Sequence, residues 1–582
     1  MDNKQVVRIL NQLADYLDLA GENSFKVSAY RKAGRAVEAS RYAIADHLDR
    51  LLELPGVGKG TAGVIVEIVE TGHSSQLERL RNELPQGLPD LLSLQGVGPK
   101  TIYTLYKELG ITSRDELLQA AELGRIRVLT GFGAKKEQKI LEAVKNFTQL
   151  SERVLRVHAL QVARVIEREL TTLSFIQKMS VAGSLRRGKE TVKDLDFVIA
   201  TTHPEEVADQ IVQLPFVQEV VNKGSTKVSV VVDVEGIQIS VDFRLVTREQ
   251  YASALHHFTG SAEHNIRIRQ RAKQMGYKVS EYGIYHDDAE EMITFKEEKD
   301  FFAHLKLAYV PPELREDRGE MEAAEQDQVP ALLQQDDYRG DLHMHSRYSD
   351  GAHSIREMAE AAKERGYEYI AITDHSQSLQ VANGLTIAEL REQWEEIAQV
   401  NREVEGITVL RGTEMDILPD GRLDFPDEVL AELDVVIASI HSGMKQDRDT
   451  LTRRLIEAME NPYVHIIGHP TGRVLFKRDA YDLDFDHIFQ TAKDTGTILE
   501  CNANGRRLDL NDELLKKAKD EYGLTFSINT DAHSVPDLSR VELGISTAKR
   551  AWLTKPDVIN TMGLDELQEW LQEKRKMRKE ID

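Results

Sequence analysis

Ala182-Gly-Ser-Leu-Arg-Arg-Gly-Lys-Glu-Thr-Val-Lys-Asp-Leu-Asp-Phe-Val-Ile199 is the most informative stretch in the first half of the chain. Gly183-Ser184 opens a turn whose backbone N–H groups and hydroxyl can face a phosphate. Arg187 can neutralise that phosphate, bidentately where the geometry allows. Asp194 and Asp196 lie two apart at the start of an apolar run that reads as a strand. A period of two puts both carboxylates on one face. There they repel unless a cation sits between them, and Mg2+ or Mn2+ fills that place naturally. Further on, Ile237-Gln-Ile-Ser-Val-Asp-Phe-Arg-Leu-Val246 alternates so that Ile237, Ile239, Val241, Phe243 and Leu245 face a core. Asp242 then faces the other way with Ser240 and Arg244, and an adjacent strand would carry it beside the aspartate pair. Three carboxylates holding two metals suit phosphoryl transfer. A lone Asp-x-Asp is most often the wet face of a hairpin; the preceding Gly-Ser-x-Arg-Arg and the third carboxylate argue against that here.

Towards the N-terminus the chain reads as helices separated by short Gly-containing turns. Three turns repeat a Leu-x-Gly-apolar-Gly core: Leu54 to Gly60, Leu94 to Lys100 and Leu129 to Lys135. Their glycines are Gly56 and Gly58, Gly96 and Gly98, Gly131 and Gly133. Lys59, Lys100 and Lys135 follow closely. Paired glycines expose successive N–H groups at a helix N-terminus, which favours phosphate, while the apolar residue between them anchors the turn. The pattern resembles the helix-hairpin-helix motif, which grips the DNA backbone without reading its sequence.

The second half delivers ligand-type side chains at the ends of apolar runs. His343 and His345 stand two apart in Gly340-Asp-Leu-His-Met-His-Ser-Arg-Tyr-Ser-Asp-Gly351. His375 follows Ile370-Ala-Ile372, Glu414 follows Val409-Leu410, and His441 follows Val435-Val-Ile437. His469 follows His465-Ile-Ile467, and Asp531 and His533 follow Phe526-Ser-Ile528. Strands alternating with helices predict parallel β/α units, whose strand C-termini converge on a site. So many imidazoles and carboxylates at one end make a metal site. His353, His465 and His487 read as ordinary.

Composition sets limits around these motifs. The 582 residues exceed one core, and 41% hydrophobic with 29% charged is an ordinary globular balance. A single cysteine, Cys501, excludes a disulfide framework within the chain and a Cys-rich zinc ribbon. No run reaches a membrane span, and Met1-Asp2-Asn3-Lys4 opens no apolar signal core, so a cytoplasmic protein without membrane contact is expected. The net charge of −23 is uneven. Residues 1–300 hold 40 Lys+Arg against 42 Asp+Glu, and residues 301–582 hold 34 against 55. The first half can therefore still present basic faces to phosphate. Pro311-Pro312 and the charged run after it mark a boundary, and 316–337 reads as a linker.

Gly183-Ser-x-Arg-Arg-Gly188, the Asp-x-Asp pair, Val241-Asp-Phe-Arg244 and Phe258-Thr-Gly-Ser261 together resemble the family X DNA polymerases of the nucleotidyltransferase superfamily. The resemblance covers about 1–315. It implies a lyase-like DNA-end-binding domain (1–80), a fingers-type duplex-binding domain (81–150), an α+β nucleotidyltransferase palm (151–250) and a nucleotide-selecting domain (251–315). It implies Asp194 and Asp196 as ligands of both metals, and Asp242 as base or ligand at the primer 3′-hydroxyl. By the same resemblance Gly183, Ser184 and Arg187 meet the triphosphate, Phe258, Thr259 and Gly260 flank sugar and base, and Asn265 contacts the nascent pair with Arg269 nearby. Two departures matter. His257-Phe258 stands where eukaryotic members have Tyr-Phe, so sugar discrimination can differ. Between Gly60 and Pro99 there is no lysine, only Gln76 and Arg79 in the region where lyase members carry their Schiff-base amine. Arginine cannot form that adduct.

Residues 338–582 resemble the PHP (polymerase and histidinol phosphatase) metal-dependent phosphoesterases, which implies a distorted (β/α)7 barrel with three divalent metals. His343, His345, Glu414 and Asp531 would hold one; Glu414, His441 and His469 the second; Asp350, His375 and His533 the third. Mn2+ is favoured by the resemblance, and the ligand types equally accept Zn2+ or Fe2+. Arg473 and the Asn502/Asn504 loop are candidates for substrate phosphate, against a plain ion pair and turn. A family X core followed by a PHP domain resembles the bacterial and archaeal family X polymerases. The expectation is a multidomain, monomeric, bifunctional base-excision-repair enzyme acting on gapped or primed duplex DNA with dNTPs. It would fill gaps and hydrolyse phosphodiesters at 3′ ends, with cleavage at abasic sites as an extension. The rivals are a DNA-binding scaffold that delivers a phosphoesterase without synthesis, and a small-molecule phosphatase.

Overall fold

A computed structural model describes residues 3–579 apart from 39, 41–43, 86–87, 95–96, 152 and 287–291. The chain forms two compact units, residues 1–152 and 153–582.

The first unit is helical. Each glycine turn leads directly into a helix: Lys59–Thr71, Pro99–Leu109 and Ala134–Ser151. The central apolar residue of each turn, Val57, Val97 or Phe132, is buried. Burying such a side chain is worth about 1.5–3 kcal/mol, enough to pin the turn. No atom lies within 4 Å of where a Cβ would stand on Gly58, Gly98 or Gly133, so these turns present open backbone. Lys59, Lys100 and Lys135 are exposed beside them. Gly96 lies outside the described residues.

The second unit opens with a five-stranded sheet: β1 (Ile176–Val181), β2 (Asp194–Thr201), β3 (Val217–Lys223), β4 (Lys227–Val234) and β5 (Ile237–Val246), in the order β1-β2-β5-β4-β3. Only the β2–β5 pair is parallel. Helices Arg156–Thr171 and Pro204–Val212 cover one face through Ile166, Ile211, Phe197 and Phe243. Helix Tyr251–Thr259 packs on the other through Ala254, against Val198 and Ala200. Residues 262–286 and 292–304 form a small α/β layer around Phe301 and Phe302.

Residues 316–337 differ from the linker expected of them. They include a helix, Glu320–Glu325, whose Met321 and Ala324 join the Phe301/Phe302 core. The segment's charges find distant partners: Glu316 pairs with Arg187 at 3.0 Å, and fully buried Glu320 meets His264 at 2.9 Å, just after Arg315, fully buried, pairs with Glu298 at 2.7 Å.

Beyond it runs a seven-stranded, all-parallel sheet in sequence order: β6 (Gly340–Met344), β7 (Tyr369–Ile372), β8 (Thr408–Asp416), β9 (Val435–Ser439), β10 (Ile466–Ile467), β11 (Ile498–Asn502) and β12 (Phe526–Asn529). A bridge from Met344 to Ala532 nearly closes it into a barrel. Both surfaces of its strands are buried, as parallel sheets require.

Candidate active sites

In the palm, parallel register places Asp196 opposite Asp242 and Asp194 opposite Ser240. The three carboxylates thus gather at one end of two neighbouring strands, as the alternation predicted. Burial first, then Asp194 and Asp242, push the Asp196 carboxyl up to about 7. A carboxyl that burial and two neighbouring carboxylates keep from ionising fits a place beside divalent cations. Asp242 accepts from Ser229 at 2.6 Å and pairs with Lys227 at 2.7 Å. Neither partner was foreseen; both lie on β4, whose place beside β5 the sequence did not reveal.

Gly183 has φ +60°, and a Cβ there would fall 2.1 Å from Asp196 Oδ2. Only glycine lets this turn touch the carboxylate strand. Arg187 donates to the Thr259 carbonyl at 2.6 Å and to Glu316 at 3.0 Å, and Arg186 pairs with Glu298 at 2.6 Å. Ser184 follows Gly183 on the same turn. A Cβ on Gly260 would stand 3.2 Å from the Arg187 guanidinium, so the 258–261 turn and the 183–187 turn adjoin. Arg244 lies over the Phe258 ring at 4.5 Å. Asn265 donates to the His257 carbonyl at 2.8 Å and leaves a buried Oδ1 without a partner.

At the barrel's C-terminal end, Glu414 on β8 is the hub. His469 lies 2.8 Å from it, His375 2.9 Å, His441 3.3 Å, His343 3.5 Å and His345 3.7 Å. Asp531 adds 3.2 Å to His345 and 3.7 Å to His343. His533 and His375 flank Asp350 at 3.3 and 3.7 Å. Ligand atoms within 4.8 Å of one another fall into three groups: His345, Asp350, His375 and His533; His343, His345 and Glu414; His375, Glu414 and His441. The expected grouping differs in two respects: His345 and His375 each reach two groups, and Asp531 and His469, though beside His345 and Glu414, fall in none of the three.

These residues fit divalent metals. His343 Nε2, His345 Nδ1, His375 Nδ1 and Asp350 Oδ1 are buried without a hydrogen bond. Of the imidazoles around Glu414, burial pushes His345 down to about 3 and lowers His469, whereas His343 and His441 hold protons in the absence of a cation. Despite burial, Glu500 and Glu414 lift His343 well above its usual range, and Glu414 with Asp416 lifts His441 to about 10. Glu414 itself is held well below the ordinary carboxylate range by His441 and His343 against its burial. A cation in place of those protons would satisfy the same charges. Glu500 anchors His343 Nδ1 at 2.7 Å, and Asp416 bonds His441 Nδ1, fixing each ring with its other nitrogen inward. The sequence reading missed both; Asp416, two beyond Glu414 on a strand, carried the signal. His469 and Asp531 adopt positive φ, 29° and 52°. Such strain costs about 1–3 kcal/mol each and gathers at functional sites.

Arg473 is taken by an ion pair, though not a local one: it binds Glu190 of the palm and the Arg507 carbonyl. Asn502 donates to Asp531 and Glu500, and Asn504 caps its own loop. Arg507, unmarked by any motif, stands 3.8 Å from Asp531 with a buried, unpartnered terminal nitrogen. It suits substrate phosphate better than Arg473. His353 and His465 accept the backbone N–H groups of Val535 and Val436, and His487 is exposed.

The fold and the two clusters define a nucleotidyltransferase joined to a metal-dependent phosphoesterase barrel. Family models agree along the chain: a helix-hairpin-helix domain at 1–74, a SAM-like helix-hairpin-helix tandem at 88–146, the DNA polymerase beta thumb at 254–316 and a PHP domain at 341–504. The DNA polymerase/3′-5′ exonuclease PolX of Bacillus subtilis is 48% identical over 571 residues, 98% of this chain and 99% of that protein. A probable phosphatase of Thermoanaerobacter sp. (strain X514) is 31% identical over 246 residues, 40% of this chain and 95% of its own. One from Caldicellulosiruptor bescii is 33% identical over 215 residues, 35% and 83%. The chain belongs to the family X DNA polymerases that carry a C-terminal PHP domain.

Proposed function

We propose that this chain is a bifunctional DNA-end enzyme, a gap-filling DNA polymerase and a 3′-5′ exonuclease in one polypeptide. The observation that carries the reading is the coexistence of two separate ligand clusters, three carboxylates in the palm and a His/carboxylate set in the barrel. In the palm, Asp194, Asp196 and Asp242 would hold two divalent cations, Mg2+ or Mn2+. In the barrel, His343, His345, Asp350, His375, Glu414, His441, His469, Asp531 and His533 would hold three, with Mn2+ favoured and Zn2+ or Fe2+ equally accommodated. Bound cations supply an activated hydroxyl at neutral pH and support for the leaving group. Gly183, Ser184 and Arg187 bind and orient the dNTP triphosphate, while Phe258, Thr259, Gly260 and Asn265 shape the sugar and base pocket. The glycine turns at Gly56/Gly58, Gly96/Gly98 and Gly131/Gly133, with Lys59, Lys100 and Lys135, hold duplex phosphates without reading sequence. A monomer acting in base excision repair, with cleavage at abasic sites, completes the proposal.

The probable phosphatases favour a second reading for the barrel alone, phosphate-monoester hydrolysis. One experiment separates the readings. Gapped DNA with dNTPs and Mg2+ or Mn2+ should be extended, and a labelled 3′ end should be hydrolysed faster than a small phosphate monoester. A protein that extends nothing is the scaffold; one that prefers the monoester is the phosphatase.

A further inference from the structure

The phosphate-facing turn of the palm is backed by the barrel half of the same unit. Gly188 has φ +73°, and a Cβ there would lie 2.4 Å from Ser546 Oγ on helix Val541–Arg550. Arg550, 4% exposed, reaches from that helix to the Arg187 carbonyl at 2.7 Å and to Glu316 at 2.9 Å. Its other side meets Asp512 at 2.9 Å, which Arg318 also holds at 3.0 Å. Glu316 therefore stands among three cations: Arg187, Arg550 and Lys189, the last at 3.4 Å. Against its burial, Arg187 and Arg550 keep its carboxyl down at about 2, so it is a fixed negative charge.

We infer that Glu316, anchored by Arg550, is a positioning residue for nucleotide binding: it aligns the Arg187 guanidinium for the triphosphate, so the barrel half completes the polymerase's nucleotide pocket. The inference rests on the assignment of Arg187 to the triphosphate. Arg187 gives Nε to Glu316 and one terminal nitrogen to the Thr259 carbonyl. Among the described residues nothing bonds its second terminal nitrogen, which is left for an anion. Three cations around one carboxylate also leave net positive charge there. A guanidinium locked on two sides loses little freedom when it meets phosphate, and that is how positioning lowers KM.

The test measures gap filling by the full-length protein, with KM for dNTP and kcat taken separately, for Glu316→Gln, Arg550→Leu, Arg550→Lys, Arg187→Ala and Arg187→Ala/Glu316→Gln. Hydrolysis of a labelled 3′ end and a thermal melt report folding. Glu316→Gln and Arg550→Leu should raise KM by roughly five- to fifty-fold, more than they lower kcat, with 3′-end hydrolysis kept. Arg550→Lys should recover part of the loss. In the Arg187→Ala background, Glu316→Gln should add nothing, because the pair acts as one unit. Arg550→Lys carries the same test if Arg550→Leu does not fold. A wild-type KM in Glu316→Gln would overturn the inference while leaving the role of Arg187 intact. A lowered KM would also overturn it, making Glu316 a competitor for the guanidinium. An unchanged KM in Arg187→Ala would instead remove the assignment beneath it.

Discussion

Asp196 carries the palm's electrostatic conflict. Its carboxyl, pushed up to about 7 by burial and its two carboxylate neighbours, is favoured protonated in the fold. The folded state then binds more protons than the unfolded one between the ordinary carboxylate value of 3.8 and about 7. Across that window this group's contribution to stability falls as pH rises, and the loss is complete above it. A divalent cation removes the conflict. In metal-free protein, added Mg2+ should therefore raise Tm more at pH 8 than at pH 5, and Asp196→Asn should erase most of that difference. Equal Mg2+ shifts at both pH values in the parent would show that Asp196 is not at the cation site. At this scale the sequence was legible where chemistry follows a short period: the Asp-x-Asp pair, Asp242 by alternation, the paired histidines 343 and 345. It was silent on Lys227, Ser229, Glu500 and Arg507, whose partners lie on other elements.

At the scale of elements, the glycine turns and the 311–337 segment behave oppositely. The turns were readable because glycine, apolar residue and glycine each have a local job. The segment was misread because a charged run shows its charges and not its partners. Its pairs reach far along the chain, Arg315 to Glu298, Glu320 to His264 and Glu316 to Arg187. Glu298, despite burial, is held by Arg315 and Arg186 at about 2. A depressed carboxyl contributes stability that is present above the unfolded value of 4.5 and is lost as pH falls towards 2. At neutral pH, limited proteolysis should therefore spare residues 316–337, and cleavage there should begin only as the pH drops below about 4.5. Rapid cutting at pH 7, mapped by fragment masses, would restore the linker reading. In the helical unit, Gln76 and Arg79 occupy the region of the expected lyase amine, and Gln76 accepts from Tyr30 at 2.9 Å. Borohydride should trap no adduct between residues 1–80 and a 5′-deoxyribose-phosphate end; a trapped adduct on Lys32 or Lys59 would show another amine in that role.

Across the whole molecule, the palm and the barrel form one compact unit instead of two bodies on a tether. Glu190 binds Arg473, Arg164 binds Glu542 at 2.7 Å, and a Cβ on Gly505 would strike Val157 at 2.8 Å. This closeness was illegible in the sequence, where the acidic second half and the charged run suggested separate bodies. Contact between the halves does not merge their chemistry, because no ligand is shared between the carboxylate trio and the Glu414 cluster. The most direct measurement takes one gapped duplex with a labelled 3′ end and follows extension and shortening in parallel for the parent, Asp194→Ala/Asp196→Ala and Glu414→Ala. The aspartate variant should lose extension entirely and keep 3′-end hydrolysis. Glu414→Ala should lose hydrolysis by at least roughly a hundredfold, with bound metal reduced, and keep extension. Loss of both activities in either variant, or full hydrolysis in Glu414→Ala, would contradict two independent centres in one chain.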